Sequence, residues 1–162
     1  MPQENHEIKM AMLVNRYATP LAILLVSMGI VLSSPPSPLR EIAVGLLLFS
    51  VAFNLLTIRF IRSGNIPGLL GTRLTINLAV NVVLVYVLGG GWAPIWLLLP
   101  LTPMAMALYD SRRATLGASL AVSAALLIIQ AARGPSAPVE WGQVVAYSAF
   151  TILISLLLNE LA

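Results

Sequence analysis

No cysteine occurs in the 162-residue chain. Disulfides, thiolate nucleophiles, cysteine-ligated zinc and iron–sulfur clusters are therefore excluded. Charge is scarce as well: 9% of the residues are Asp, Glu, Lys or Arg, against about 25% in an ordinary soluble domain. The one histidine, His6, stands in the polar stretch Met1–Met10 beside Glu4, Glu7 and Lys9. No His–carboxylate pair falls inside an apolar run, and no Walker loop, dinucleotide-binding glycine loop or metal-ligand spacing is present. The sequence thus offers no catalytic residues, no cofactor site and no metal site, which disfavours an independent membrane enzyme. Formal charges stand at the ends of apolar runs and not at their middles. A mid-membrane ionisable group is the usual mark of ion coupling, so a proton pump is disfavoured too, while an uncoupled carrier stays open. The nine basic residues are spread over short gaps and not clustered, which argues against nucleic acid as a partner.

What the sequence has in quantity is apolar length. It is 59% hydrophobic with a mean hydropathy of +0.93. About 20 apolar residues in a helix cross the hydrocarbon core of a bilayer, and six runs approach that length. We expect an all-α polytopic membrane protein, a bundle of six transmembrane helices. The expected spans are about 17–32, 41–61, 73–88, 92–109, 114–132 and 141–159. They follow an N-terminal tail over 1–16 that does not read as a signal peptide, its polar part Met1–Met10 a mobile tail or short surface helix and its Ala11–Val14 able to extend span 1 into the interface, and precede a short end at 160–162. Three prolines in Ser34–Pro38 close span 1. Arg62–Thr72, with Gly64, Asn65, Pro67, Gly68 and Gly71, reads as a loop. Gly89-Gly90-Gly91 closes span 3 and makes a hairpin with Trp92-Ala93-Pro94. Pro100 and Pro103 should bend span 4 and free backbone carbonyls that neighbouring helices must accommodate.

The basic residues test the count. Six spans put Lys9, Arg16, Arg59, Arg62, Arg73, Arg112 and Arg113 on one side and Arg40 and Arg133 on the other. The basic side is expected to be cytoplasmic, which places both termini there. Trp92, Trp96 and Trp141 then fall at the outer interface, and Tyr17 and Tyr109 at the inner one, as aromatic belts do.

Two groups of residues could carry function. The first is the Gly89, Gly90, Gly91, Trp92, Pro94 turn with Trp96, Pro100 and Pro103. It reads either as a hairpin with anchoring aromatics or as a hinge and wall contacting a signal, partner or apolar ligand, glycine permitting close approach. The second is a set of intramembrane polar side chains: Asn54, Asn77, Asn81 and Gln130, with Asn159 at the inner end of span 6. Asn77 and Asn81, four apart, share a helix face. They read either as interhelical hydrogen bonds, worth roughly 0.6–2 kcal/mol each, or as a polar track that relays helix movement.

The run Leu84–Trp96, followed by Leu97-Leu98-Leu99-Pro100-Leu101 and then Tyr109-Asp110-Ser111-Arg112-Arg113-Ala114, resembles the membrane-embedded input domains of bacterial sensor histidine kinases of the PilS and RegB type. Those domains are similar in having six spans, a glycine turn leading to a proline step, a proline-bearing fourth span and an arginine-rich turn before the fifth. Where the RegB type has Asn-Pro-Phe, this chain has Ala93-Pro94-Ile95. The PilS-like version, in which the membrane module meets another membrane protein, is the closer likeness. The resemblance implies a sensory module in the bacterial inner membrane that acts as a dimer. Kinase activity would require a C-terminal extension beyond Asn159–Ala162, so the chain reads as an excised input domain or as a complete small protein. His6-Glu7-Ile8-Lys9 superficially resembles a phosphoacceptor box, but it precedes the membrane domain and lacks an ATP site. The competing readings are a substrate-binding subunit of a transporter or small carrier, and a structural or assembly subunit of a larger membrane complex.

Overall fold

A computed structural model describes residues 2–62, 68–108, 110–135 and 137–162, with the backbone alone at 2–11, 13–15, 61 and 62. The loop residues Gly64, Asn65 and Pro67, the interfacial Tyr109, and the side chains of Glu4, His6, Glu7 and Lys9 lie outside the described residues. Among those described there is helix and no strand. The elements are α1 (Pro2–Ser33), α2 (Leu39–Arg62), α3 (Leu69–Leu88), a 3₁₀ helix (Ala93–Leu98), α4 (Leu101–Ala107), α5 (Arg112–Ala132) and α6 (Pro138–Leu161).

Local chemistry sets the ends. α1 stops before Pro35 and Pro36, and the hydroxyls of Ser33 and Ser34 donate back to Gly29 O at 2.6 Å and Val31 O at 3.2 Å. Leu88 O, the last carbonyl of α3, accepts from both Gly91 N at 3.1 Å and Trp92 N at 2.9 Å. Ser111 caps α5, its hydroxyl accepting from Ala114 N at 3.3 Å. Gly134 ends α5 at φ 91°, a left-handed conformation that favours glycine. Pro138 opens α6, where a missing N–H costs nothing.

Among the described residues, five helices are long and apolar enough to cross a membrane: Arg16–Ser33, Leu39–Phe60, Leu69–Leu88, Arg112–Ala132 and Pro138–Leu161. Large apolar side chains stand exposed along them, among them Val31, Ile128 and Leu153, a surface suited to lipid. Two differences from the sequence reading matter. Residues 2–16, expected as a tail, continue α1 without a break. The fourth span, expected as one helix over 92–109, is instead the 3₁₀ helix and α4 in succession. The two pieces are six and seven residues long, and each by itself is too short to cross the ~30 Å hydrocarbon core. Pro100 and Pro103 are the cause, since neither can donate to the helix ladder.

The chain divides into two compact units, Met1–Leu98 and Leu99–Ala162. In the first, α1 packs on α2 and α2 on α3, and the 3₁₀ helix lies against α1 and α3. Leu25, Val26, Leu84, Leu88, Ile95 and Leu98 are its buried apolar centre. In the second, α5 and α6 form an antiparallel hairpin against which α4 packs. Gln130–Glu140 at one end of the hairpin and Arg112–Glu160 at the other set its register. That register brings fully buried Thr115 level with Ser155 and Ser119 level with Thr151. Such small residues let two backbones approach closely in lipid.

Candidate functional site

The break between Leu98 and Leu101 fixes the geometry around the fourth segment. Thr102 N reaches Leu99 O at 3.4 Å in a 3₁₀-like turn, and Met104 N reaches Pro100 O at 3.0 Å. Leu98 O is left without a helical donor. Asn81 of α3 supplies one, its Nδ2 donating to Leu98 O at 3.0 Å. A backbone carbonyl at the break is thus satisfied by a neighbouring helix, as hydrocarbon requires of backbone polar groups.

One turn earlier on α3, Asn77 makes a different contact. Its Nδ2 donates to Asn54 Oδ1 at 3.0 Å, while Asn54 Nδ2 donates to Asn77 Oδ1 at 3.1 Å and to Ser50 O at 2.9 Å. Asn54 Oδ1 also accepts from Arg73 Nε at 2.9 Å. Asn54 and Arg73 are each 7% exposed. The face shared by Asn77 and Asn81 therefore serves two partners, α2 and the 3₁₀ helix. Arg73, which the sequence places at a span end, is drawn into the α2–α3 interface. Its spacing from Asn77, one helical turn, was the available signal.

At the other end of this unit the glycine turn packs against α1. A Cβ on Gly91 would stand 2.6 Å from Ser33 Cβ, and one on Gly29 would stand 3.1 Å from Trp92 Cδ1 and 3.2 Å from Leu88 Cδ1. Gly29 and Ser33, one turn apart, form the face of α1 that receives the turn. The close approach permitted by Gly91 is thus taken up by the chain itself. Gly90 meets no such neighbour: it is exposed, with open space where a Cβ would be, and Gly89 caps α3, its N–H donating to Val85 O at 2.9 Å. Trp92 Nε1 is buried with no acceptor among the described residues. Pro94 and Trp96 are half-buried within the 3₁₀ helix, and Pro100 and Pro103 are fully buried.

In the second unit, Gln130 is 6% exposed and its Nε2 donates to Glu140 Oε2 at 3.2 Å, closing the α5–α6 hairpin. Asn54, Asn77 and Asn81 belong to the first unit. At the hairpin's open end Asn159 Nδ2 donates to Ala107 O at 2.9 Å and to Asp110 O at 3.1 Å. Beside it Glu160 pairs with Arg112 at 3.2 Å. The end of α6 is thereby fastened to the end of α4 and to the turn before α5. Ser111 N donates to Asp110 Oδ1 at 2.6 Å, which holds that turn. A groove of about 540 Å³ runs along the first half of α2, lined by Ser37, Arg40, Glu41, Val44, Gly45 and Leu48. These contacts consist of amides, hydroxyls and exposed or hydrogen-bonded charges. They can hold and release helices, and they present no acid–base pair. No protein-family model, curated protein or solved structure matches this chain.

Proposed function

We propose that the chain is a six-span protein of the bacterial inner membrane with both termini in the cytoplasm. In this reading it is a non-catalytic sensory or regulatory module, like the input domain of a two-component sensor histidine kinase. A signal from the membrane or from a partner protein shifts the fourth segment, and α6 carries the shift onward. The observation that carries this reading is the attachment of that segment at both of its pieces. Asn81 holds the last carbonyl of the 3₁₀ helix, and Asn159, near the end of α6, holds the last carbonyl of α4. A ligand or partner shifts such an equilibrium only if it binds two packings differently, and a proline-broken segment supplies two ways of packing. The seven-to-two distribution of basic residues supports the six-span orientation, and the likeness over Leu84–Ala114 supports a partner membrane protein and a dimer.

The test is native mass spectrometry of the protein in lipid nanodiscs, taken from its own genetic context with any C-terminal extension kept. A dimer carrying a kinase domain, or a complex with a second membrane protein of a signalling system, is expected. A monomer that retains a defined small molecule or an ATPase would overturn the reading in favour of a transport subunit. Stoichiometric recovery inside a large assembly would favour a structural role.

A further inference from the structure

The groove on the first half of α2 joins charged and apolar walls in one place. Ser37, Arg40 and Glu41 line one end of it, and Val44, Gly45 and Leu48 line the rest, around a volume of about 540 Å³. That volume falls within the roughly 300–1,000 Å³ of small-molecule sites. A cation and a carboxylate thus meet as sequence neighbours at the first turn of α2, and both are exposed. Arg40 has no ion-pair partner among the described residues. Glu41 accepts from Ser37 Oγ through Oε1 at 2.9 Å, and its second oxygen stands clear of that bond. Val44 and Leu48 are exposed apolar walls, Leu48 about 12 Å further along the same helix than Arg40. Gly45 keeps the groove open, since a Cβ there would meet nothing within 4 Å.

Charged groups at one end, with apolar walls running from them along a helix fit to cross a membrane, follow the order of a phospholipid: headgroup first, acyl chains after. The charges select among headgroups. The Arg40 guanidinium matches a phosphate with two parallel hydrogen bonds. Glu41 beside it repels a headgroup of net negative charge and accepts from an ammonium N–H. A choline ammonium has no N–H to give and is held by aromatic rings instead, and among the described residues that line the groove there is no aromatic ring. We propose that this groove binds phosphatidylethanolamine, its phosphate on Arg40, its primary ammonium on Glu41 and an acyl chain along Val44 and Leu48. This inference rests on α2 crossing the membrane and is independent of the relay.

The full chain is purified in detergent and supplied with equal amounts of phosphatidylethanolamine, phosphatidylglycerol and phosphatidylcholine of the same acyl chains. The retained lipids are counted by native mass spectrometry. The wild type is expected to retain phosphatidylethanolamine in preference. Arg40→Gln should lower that retention about five-fold. Glu41→Gln keeps an acceptor for Ser37 and should transfer the preference to phosphatidylglycerol. Gly45→Leu fills the groove and should abolish the preference, while Ala52→Leu, at an exposed position further along α2, should leave it intact. Helicity by circular dichroism confirms that each variant is folded. Equal retention of the three lipids by the wild type overturns the site, as does a preference that Glu41→Gln or Gly45→Leu leaves unchanged. A dimer that persists without lipid and is lost in Gly45→Leu gives the groove to a second copy and overturns the lipid. A chain that stays out of the membrane fraction altogether overturns the embedded reading along with the site. An inserted chain without lipid preference overturns the site alone.

Discussion

At the scale of single residues, two glycines in one turn have opposite consequences. Gly91 has Ser33 Cβ 2.6 Å from where its own Cβ would be, whereas Gly90 has open space there. Gly91→Ala must push α1 away from the turn and should cost about 1–3 kcal/mol, as overpacking does. Gly90→Ala should stay within about 0.5 kcal/mol. Thermal midpoints of the two variants in one detergent would separate them, and equal midpoints would show that α1 does not close on the turn. The asparagines differ in a similar way. Asn81→Leu removes one interhelical hydrogen bond, an effect of roughly 0.6–2 kcal/mol. Asn54→Leu removes an acceptor from a buried guanidinium as well as the amide pair with Asn77, and hydrogen bonds to charged groups are worth about 1.5–3 kcal/mol. Asn54→Leu should therefore be the more damaging. Its effect should also be strongly non-additive with Asn77→Leu in a double-mutant cycle.

At the scale of elements, the fourth segment is broken because two of its residues lack an N–H. Pro100→Ala restores one donor and relieves the ring's clash with the preceding turn. The expected outcome is a helix that continues through residue 100, with Thr102 N turning from Leu99 O to Leu98 O and displacing Asn81. Hydrogen exchange at the Thr102 amide should slow in Pro100→Ala. Unchanged exchange would show that packing, and not proline, sets the break. α6 offers the complementary experiment. Asn159→Leu removes two hydrogen bonds from its end, and exchange over the last turn of α6 should quicken. Arg112→Gln should change it little, because the Arg112–Glu160 pair is exposed at 70% and 61% and such pairs contribute about 0–1 kcal/mol.

At the scale of the whole molecule, the six-span reading can be tested through the chain's lack of cysteine, since any cysteine introduced is a single one. Cysteines at Ser34 and at Ala162 should differ towards a membrane-impermeant maleimide applied to intact cells. Position 34 is expected to react, and position 162 only after the cells are opened. Reaction at both without opening would place the termini on opposite faces and make the fourth segment re-entrant. The helical character of the chain and the presence of several helices apolar enough to cross a membrane were legible in the sequence. Proline, glycine and charge punctuate the runs, and a helix in lipid must satisfy its own backbone.

What the sequence alone determined is what depends on neighbours along the chain: helix, apolar length, the places where proline and glycine interrupt the apolar runs, and the bias of basic charge. The tertiary structure alone decided what depends on neighbours across space. It placed Ser33 against Gly91, separated Asn77 from Asn81 by giving them different partners, drew Arg73 into the α2–α3 interface, and set Asn159 on the last carbonyl of α4. Each of these contacts requires the relative rotation and depth of two helices. Periodicity fixes which residues share a face of one helix, and it does not fix which other helix that face will meet.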